Sequence, residues 1–166
     1  ATFKYFGPMQ AFLKYGNTLK VVRAAPAGAL NAAVNGITNQ LIKNKDAFDA
    51  ITPAATLGDW IARSAGVQGN ALEVQVCLAS ATSFNLWTHK GLFDRAPGTS
   101  AFALKINPDT PMLDEMHVAV IDKTGAISGA PGTVLETFEA VSQATNGKND
   151  DGSTNFVKDV INNGSQ

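Results

Sequence analysis

Apolar and polar positions alternate most cleanly in ALEVQVCLA (Ala71–Ala79). There Leu72, Val74, Val76 and Leu78 stand against Glu73, Gln75 and Cys77. A period of two sends the two sets to opposite faces, so this run is expected to be a half-buried strand. SAFALKI (Ser100–Ile106) alternates again and reads as a strand. MHVAVID (Met116–Asp122) is a third, with Lys123-Thr124-Gly125 as a hairpin turn and Ala126–Ile127 starting the return limb. LKVVRA (Leu19–Ala24) adds a short run rich in branched residues. GTVLETFEAVS (Gly132–Ser142) is ambiguous, because Val134, Leu135, Phe138 and Val141 fit helical spacing as well as strand spacing, and taken alone the pattern slightly favours a helix. Its branched residues and the preceding Pro131-Gly132 turn argue for a strand.

Helix signals are shorter. GPMQAFLKYGN places Pro8 at a first helical position, gives Phe12 and Leu13 as an apolar stripe, and ends at Gly16. A short helix is expected over Asp46–Ile51, stopped by Pro53. Thr56 and Asp59 have capping-box spacing ahead of Trp60 and Ile61, predicting a helix that ends near Gly66. Near the end, Ser153 is placed to cap a helix with Phe156, Val157, Val160 and Ile161 on one face and Asn163-Gly164 at its C-terminus. Ala25–Gln40 reads as loop, and Ser80–Gly98 as irregular chain anchored by Trp87 and Phe93. Short helices flanking neighbouring strands predict an α+β fold, with an antiparallel or mixed sheet or a sandwich-like body.

At 166 residues the chain can bury one good core, or two small lobes, but hardly two full domains. Its charged fraction of 16% is low, which suits a surface partly covered by neighbours. No apolar run approaches membrane-spanning length and no leader pattern is present, so membrane insertion is not expected. Residues 1–45 hold Lys4, Lys14, Lys20, Arg23, Lys43 and Lys45 and no acid. Residues 109–166 hold nine acids against three lysines. Internal pairing is the plainer expectation from this asymmetry. The sharper one is head-to-tail self-association, for which Lys43, Lys45, Asp150 and Asp151 are the candidate contacts. The basic residues are spread out, so direct nucleic-acid binding is not expected.

No catalytic, cofactor or metal assignment follows from the residues. Cys77 is the single cysteine and is read as a small buried strand residue, which rules out an internal disulfide. His89 and His117 are the only histidines and lack zinc-site spacing. Asp114-Glu115 and Asp150-Asp151 are read as solvated turn residues, and Asp150-Asp151-Gly152 lacks the spaced ligands of a calcium loop. Gly66-Val67-Gln68-Gly69-Asn70 precedes a strand, the reverse of a phosphate cradle, and is expected to need positive φ at one or both glycines.

Four segments in order carry a family resemblance: FLKYGNTLKVVRA (Phe12–Ala24), WIARSAGVQGNALEVQV (Trp60–Val76), MHVAVIDKTGAI (Met116–Ile127), and a closing series. The series comprises GTVLETFEAVS, the polar loop ATNGKNDDGS (Ala144–Ser153) and TNFVKDVINNGSQ (Thr154–Gln166). Together they resemble the central, outer domain of contractile phage tail sheath proteins of myophage type, which favours a strand over Gly132–Ser142. The resemblance implies one central domain over residues 1–166, with residues 25–41 a short loop where some members insert a protrusion. The N-terminal arm and C-terminal domain of the family are not matched. It also implies a virion protein, assembled in the host cytoplasm as hexameric rings stacked in a helical sleeve. Its partners would be further copies, the tail tube, and the baseplate and tail terminator proteins. Contraction of the sleeve would drive the tube through the host envelope for genome delivery. The alternative is another structural virion module, a tail-tube or baseplate component; a Cys-dependent hydrolase ranks below both.

Overall fold

A computed structural model describes residues 3–20, 26, 28–35, 41–51 and 58–165. In order these form α1 (Phe3–Leu13), β1 (Ala33–Val34), α2 (Lys45–Asp49), β2 (Trp60–Ile61), β3 (Leu72–Leu78), α3 (Ala81–Leu86), α4 (Ala101–Ile106), β4 (Glu115–Asp122), β5 (Thr133–Ser142) and α5 (Val157–Gly164). The fold is α+β, and both of its sheets are antiparallel.

The larger sheet runs β3-β4-β5, with β4 in the middle. Its central strand is buried on both faces: His117, Val118, Ala119 and Asp122 are each fully covered. The strands expected over Ala71–Ala79, Met116–Asp122 and Gly132–Ser142 are therefore present. The inward face of β3 differs from expectation. Cys77 is buried, as expected of it, whereas Val76 and Leu78 of the apolar set are 37% and 53% exposed. The cause is aromatic cover on the Cys77 side, where Phe93 stacks on His117 at 4.3 Å and Phe84 meets it edge-on at 5.8 Å.

A second, smaller sheet pairs β1 with β2. It replaces the helix expected after Asp59; Thr56 lies outside the described residues, and Asp59 accepts a bond from Asn35 Nδ2 at 2.7 Å rather than capping a turn. The expected loop over Ala25–Gln40 thus supplies β1. Asn31, only 4% exposed, staples this lobe. Its Oδ1 accepts from Ile42 N at 2.8 Å and its Nδ2 donates to Ala62 O at 2.8 Å. Asn31→Ala is expected to lower stability by about 2–3 kcal/mol, because buried main-chain groups lose their partners. Denaturant titration checks this. Gly66, at φ +125°, has the positive φ expected of it. Gly69 serves by close approach instead, since a Cβ there would lie 2.9 Å from Ala32 Cβ.

Several local expectations change. α1 starts ahead of Pro8, which lies inside the helix, and Phe12 and Leu13 stay about half exposed. The strand expected over Leu19–Ala24 falls largely outside the described residues. Ser80–Gly98 contains α3, capped by Ser80 Oγ accepting from Ser83 N. Ser100–Ile106 is a helix, because Ser100 Oγ accepts from Ala103 N and the residues after it are good helix formers. α2 matches its prediction to within two residues. α5 also forms, but Ser153 does not cap it: Thr154 Oγ1 accepts from Phe156 N and donates to Asp159 instead.

Candidate assembly surfaces

β4 carries a buried carboxylate node at each end. At its start, Asp114 is 7% exposed and Glu115 4%. Asp114 accepts from Ser100 N (2.8 Å), Ser100 Oγ (2.9 Å) and Ser142 Oγ, so α4, β4 and β5 meet on one carboxylate. Glu115 takes a two-pronged bond from Arg95 and a third from Gly98 N at 2.9 Å. Burial disfavours ionisation of both groups. The bonds from Ser100 and Ser142 to Asp114, and from Arg95 and Gly98 to Glu115, outweigh it and hold both carboxyls below their ordinary range. The expectation that Asp114-Glu115 is a solvated turn pair is thereby corrected. Sequence gives one clue: the pair opens an apolar strand, Asp114 just before it and Glu115 as its first residue.

At the other end Asp122 is fully covered. It accepts from Gly125 N, Ile127 N, Ser128 N and Ser128 Oγ, all within 2.7–2.9 Å. Burial again opposes the charge, and the four donors prevail, bringing the carboxyl down to about 2. The β4–β5 connection is accordingly a wide, clamped loop over residues 123–132, not the tight Lys123-Thr124-Gly125 turn that was expected. Ile127 projects from it, 46% exposed.

The closing loop after β5 is fixed by polar contacts. Ser142 N donates to Asn155 O, Asn155 N to Gly147 O, and Ala144 N to Ser142 Oγ. Gly147 is needed for close approach, since a Cβ there would sit 2.8 Å from Ser142 Cβ. Between this loop and α4 lies a shallow cleft of about 370 Å³, lined by Phe102, Lys105 and Ile106 on one side and Lys148 and Asp150 on the other.

The four candidate contact residues are all exposed, but two are locally engaged. Lys45 pairs with Asp49 one turn on, at 3.0 Å. Asp151 accepts from Ser153 Oγ and N, which lowers its carboxyl from the ordinary value. Lys43 sits just before α2, and Asp150 lines the cleft. The ion pairs formed by Lys45–Asp49, Arg95–Glu115 and Lys123–Glu73 do not join the basic first stretch to the acidic last one. Much of the acidity near the end is instead spent on holding loop amides and hydroxyls.

Cys77 and His117 are cross-strand partners, the pair a thiol enzyme would need. Their surroundings do not equip them for it. His117 Nε2 donates to Arg95 O at 2.7 Å, and Nδ1 accepts from Ala140 N at 2.9 Å, so both ring nitrogens are occupied. Burial raises the Cys77 thiol, favouring its neutral form. Among the described residues no cluster of His, Cys, Asp and Glu is arranged to hold a metal, and no helix is long and apolar enough to cross a membrane.

No family model matches the chain, and no solved structure matches it. The chain spans 17% of the length of the curated relative it matches. Over 123 residues, 74% of its own length, it is 31% identical to, and so similar to, the tail sheath protein of Salmonella phage ViI.

Proposed function

We propose that this chain is part of a structural subunit of a contractile phage tail sheath. Copies polymerise as stacked hexameric rings around the tail tube, bounded by baseplate and terminator proteins. Contraction then drives the tube through the host envelope. The observation that carries this reading is the 31% identity to a tail sheath protein over 74% of the chain. The build of the body supports it. A central strand packed on both faces and clamped at both ends suits a unit that moves as a rigid body while its contacts change. A sleeve held in its long form would be a kinetic trap, released by a signal at the baseplate.

Electron microscopy of the complete protein that carries this sequence tests the proposal. Wide sleeves with a long and a short form are expected. Thin tubes, isolated rings or dispersed monomers would overturn it in favour of a tube or baseplate role.

The proposed contacts between copies set Lys43 and Lys45 against Asp150 and Asp151. Exposed pairs each contribute little and can be exchanged at small cost, which suits an interface that must slide. Charge reversal at both lysines in the complete protein is expected to shorten or abolish sleeves, and reversal at both aspartates to restore them in part. Lys45→Glu alone also breaks the Asp49 pair, which is worth only about 0.3–0.5 kcal/mol. Unaltered sleeves from the double lysine variant would remove these residues from the interface.

A further inference from the structure

The closing loop, residues 143–155, offers little apolar material for packing. Within Ala144–Ser153 the one buried residue is Gly147. The loop is held by hydrogen bonds within itself and by anchors to the sheet: Gln143 N donates to Asp114 O, Asn155 Nδ2 to Ala140 O, Ser142 N to Asn155 O and Ala144 N to Ser142 Oγ, with Ser142 itself fully buried at the end of β5. The polarity of the bonds around that serine is fixed. Ser142 Oγ accepts from Ala144 N, so its own hydrogen points the other way, to Asp114. Ser100 repeats the arrangement from the α4 side, accepting from Ala103 N and donating to Asp114. Ser100 N supplies the third donor. Asp114 is thus an acceptor for three hydrogens and, in this arrangement, has no use for one of its own.

We infer that Asp114 is an acid-releasable lock on the closing loop, freeing that loop while the β3-β4-β5 sheet stays folded. Ser100 Oγ and Ser142 Oγ both donate to Oδ2, so a proton placed there turns one serine away, and turning Ser142 disturbs the oxygen that receives Ala144 N. A proton on Oδ1, which accepts from Ser100 N alone, leaves the donors in place but removes the charge that strengthens their bonds. The groups that meet at this point do not offer a replacement charge. Glu115 beside it is held by Arg95; the charged residues carried by the elements packed around it are Lys105 on α4, Glu136 and Glu139 on β5, and Lys148, Asp150 and Asp151 on the closing loop, and none of them hydrogen-bonds the Asp114 carboxylate among the bonds described. His117, further along β4, is bonded through both nitrogens to main chain. The hydrogen bonds described at the Asp114 carboxylate come from Ser100 and Ser142.

The direction in pH follows from linkage. The carboxyl titrates lower in the folded chain than in the unfolded one. Its contribution is therefore complete above the unfolded value and is lost as pH falls through the folded one. The loop over residues 123–132 is an internal control, because its clamp Asp122 titrates only at about 2. The inference stands apart from the sheath reading and survives that reading's failure.

Hydrogen exchange read by mass spectrometry on the complete protein, stepped from about pH 6 to about pH 3, tests it. Protection factors over residues 143–155 are expected to fall several-fold by about pH 3, about ninefold being the limit that linkage to one carboxyl sets there, before those of β4 change. Asp114→Asn should produce a loop-only loss of roughly ten- to a hundredfold at neutral pH. Ser142→Ala, which keeps the carboxylate and its Ser100 donors, should give a milder loss of roughly three- to tenfold. The inference is overturned if loop and β4 lose protection together on acidification. It is equally overturned if both variants keep loop protection within about twofold of the parent.

Discussion

His117→Ala is expected to lower the unfolding free energy by about 3–5 kcal/mol, the largest loss for any single side chain here. The imidazole is fully buried, stacks on Phe93 and meets Phe84 edge-on. Truncation empties that volume and strands two main-chain groups, Arg95 O and Ala140 N. Both are in places that do not close easily. Ala140 has a positive φ of 50°, and the β4–β5 register shifts between Met116 and Val118, so the ring fills a bulge in the ladder. Arg95 O lies on the segment that also carries the Glu115 partner. His117→Phe separates the two effects, since it restores volume but no hydrogen bond; a loss of about 2 kcal/mol is expected. Chemical denaturation of both variants is the check. A loss under about 1 kcal/mol for the alanine variant would show that the site collapses or hydrates without penalty.

Gly125→Ala is expected to cost about 3 kcal/mol or more, against about 1–2 kcal/mol for Gly129→Ala in the same loop. Both glycines have positive φ, at +78° and +89°. They differ in surroundings. A Cβ at Gly125 would lie 2.7 Å from Pro131 N and 2.9 Å from Ala130 C, both backbone atoms unable to rotate away. At Gly129 nothing lies within 4 Å. The first substitution must therefore open the loop and pull its amides off Asp122, whereas the second adds only conformational strain. Thermal unfolding of the two variants side by side gives the comparison. Equal shifts would mean that φ alone, and not the approach of Pro131, sets the requirement.

What could be read from the chain divides by the kind of force involved. Strands β3 and β4 were legible because each is long enough for period-two patterning to outweigh chance, whereas β5, whose spacing also fits a helix, was read from its branched residues, the Pro131-Gly132 turn and the resemblance. α4 was not, since in Ser100–Ile106 five of seven residues are apolar and so few positions cannot tell a period of two from 3.6. The decisive feature was a capping bond from Ser100, which periodicity does not report. β1 and β2 are two residues each and exist through pairing across distant chain, as Ala33 meets Ile61. Local signals cannot specify that. The charge asymmetry was visible, but its use was not. Asp114 and Glu115 looked like solvated turn acids and, like Asp122 at the end of its strand, are buried acceptors, because donors such as Ser142 and Ser128 reach these carboxylates only after folding. Of the candidate contacts, Lys43 and Asp150 keep exposed positions, whereas Lys45 and Asp151 already have near neighbours in sequence as partners.

The double clamping of β4 has a mechanical consequence. A tension applied between the loop after Asp122 and the loop beyond Ser142 would run parallel to the strands. β5 joins those two loops directly, so its covalent backbone carries the load, and the ladder to β4 keeps it extended alongside. A body wired in this way transmits a pull from end to end with little stretch of its own.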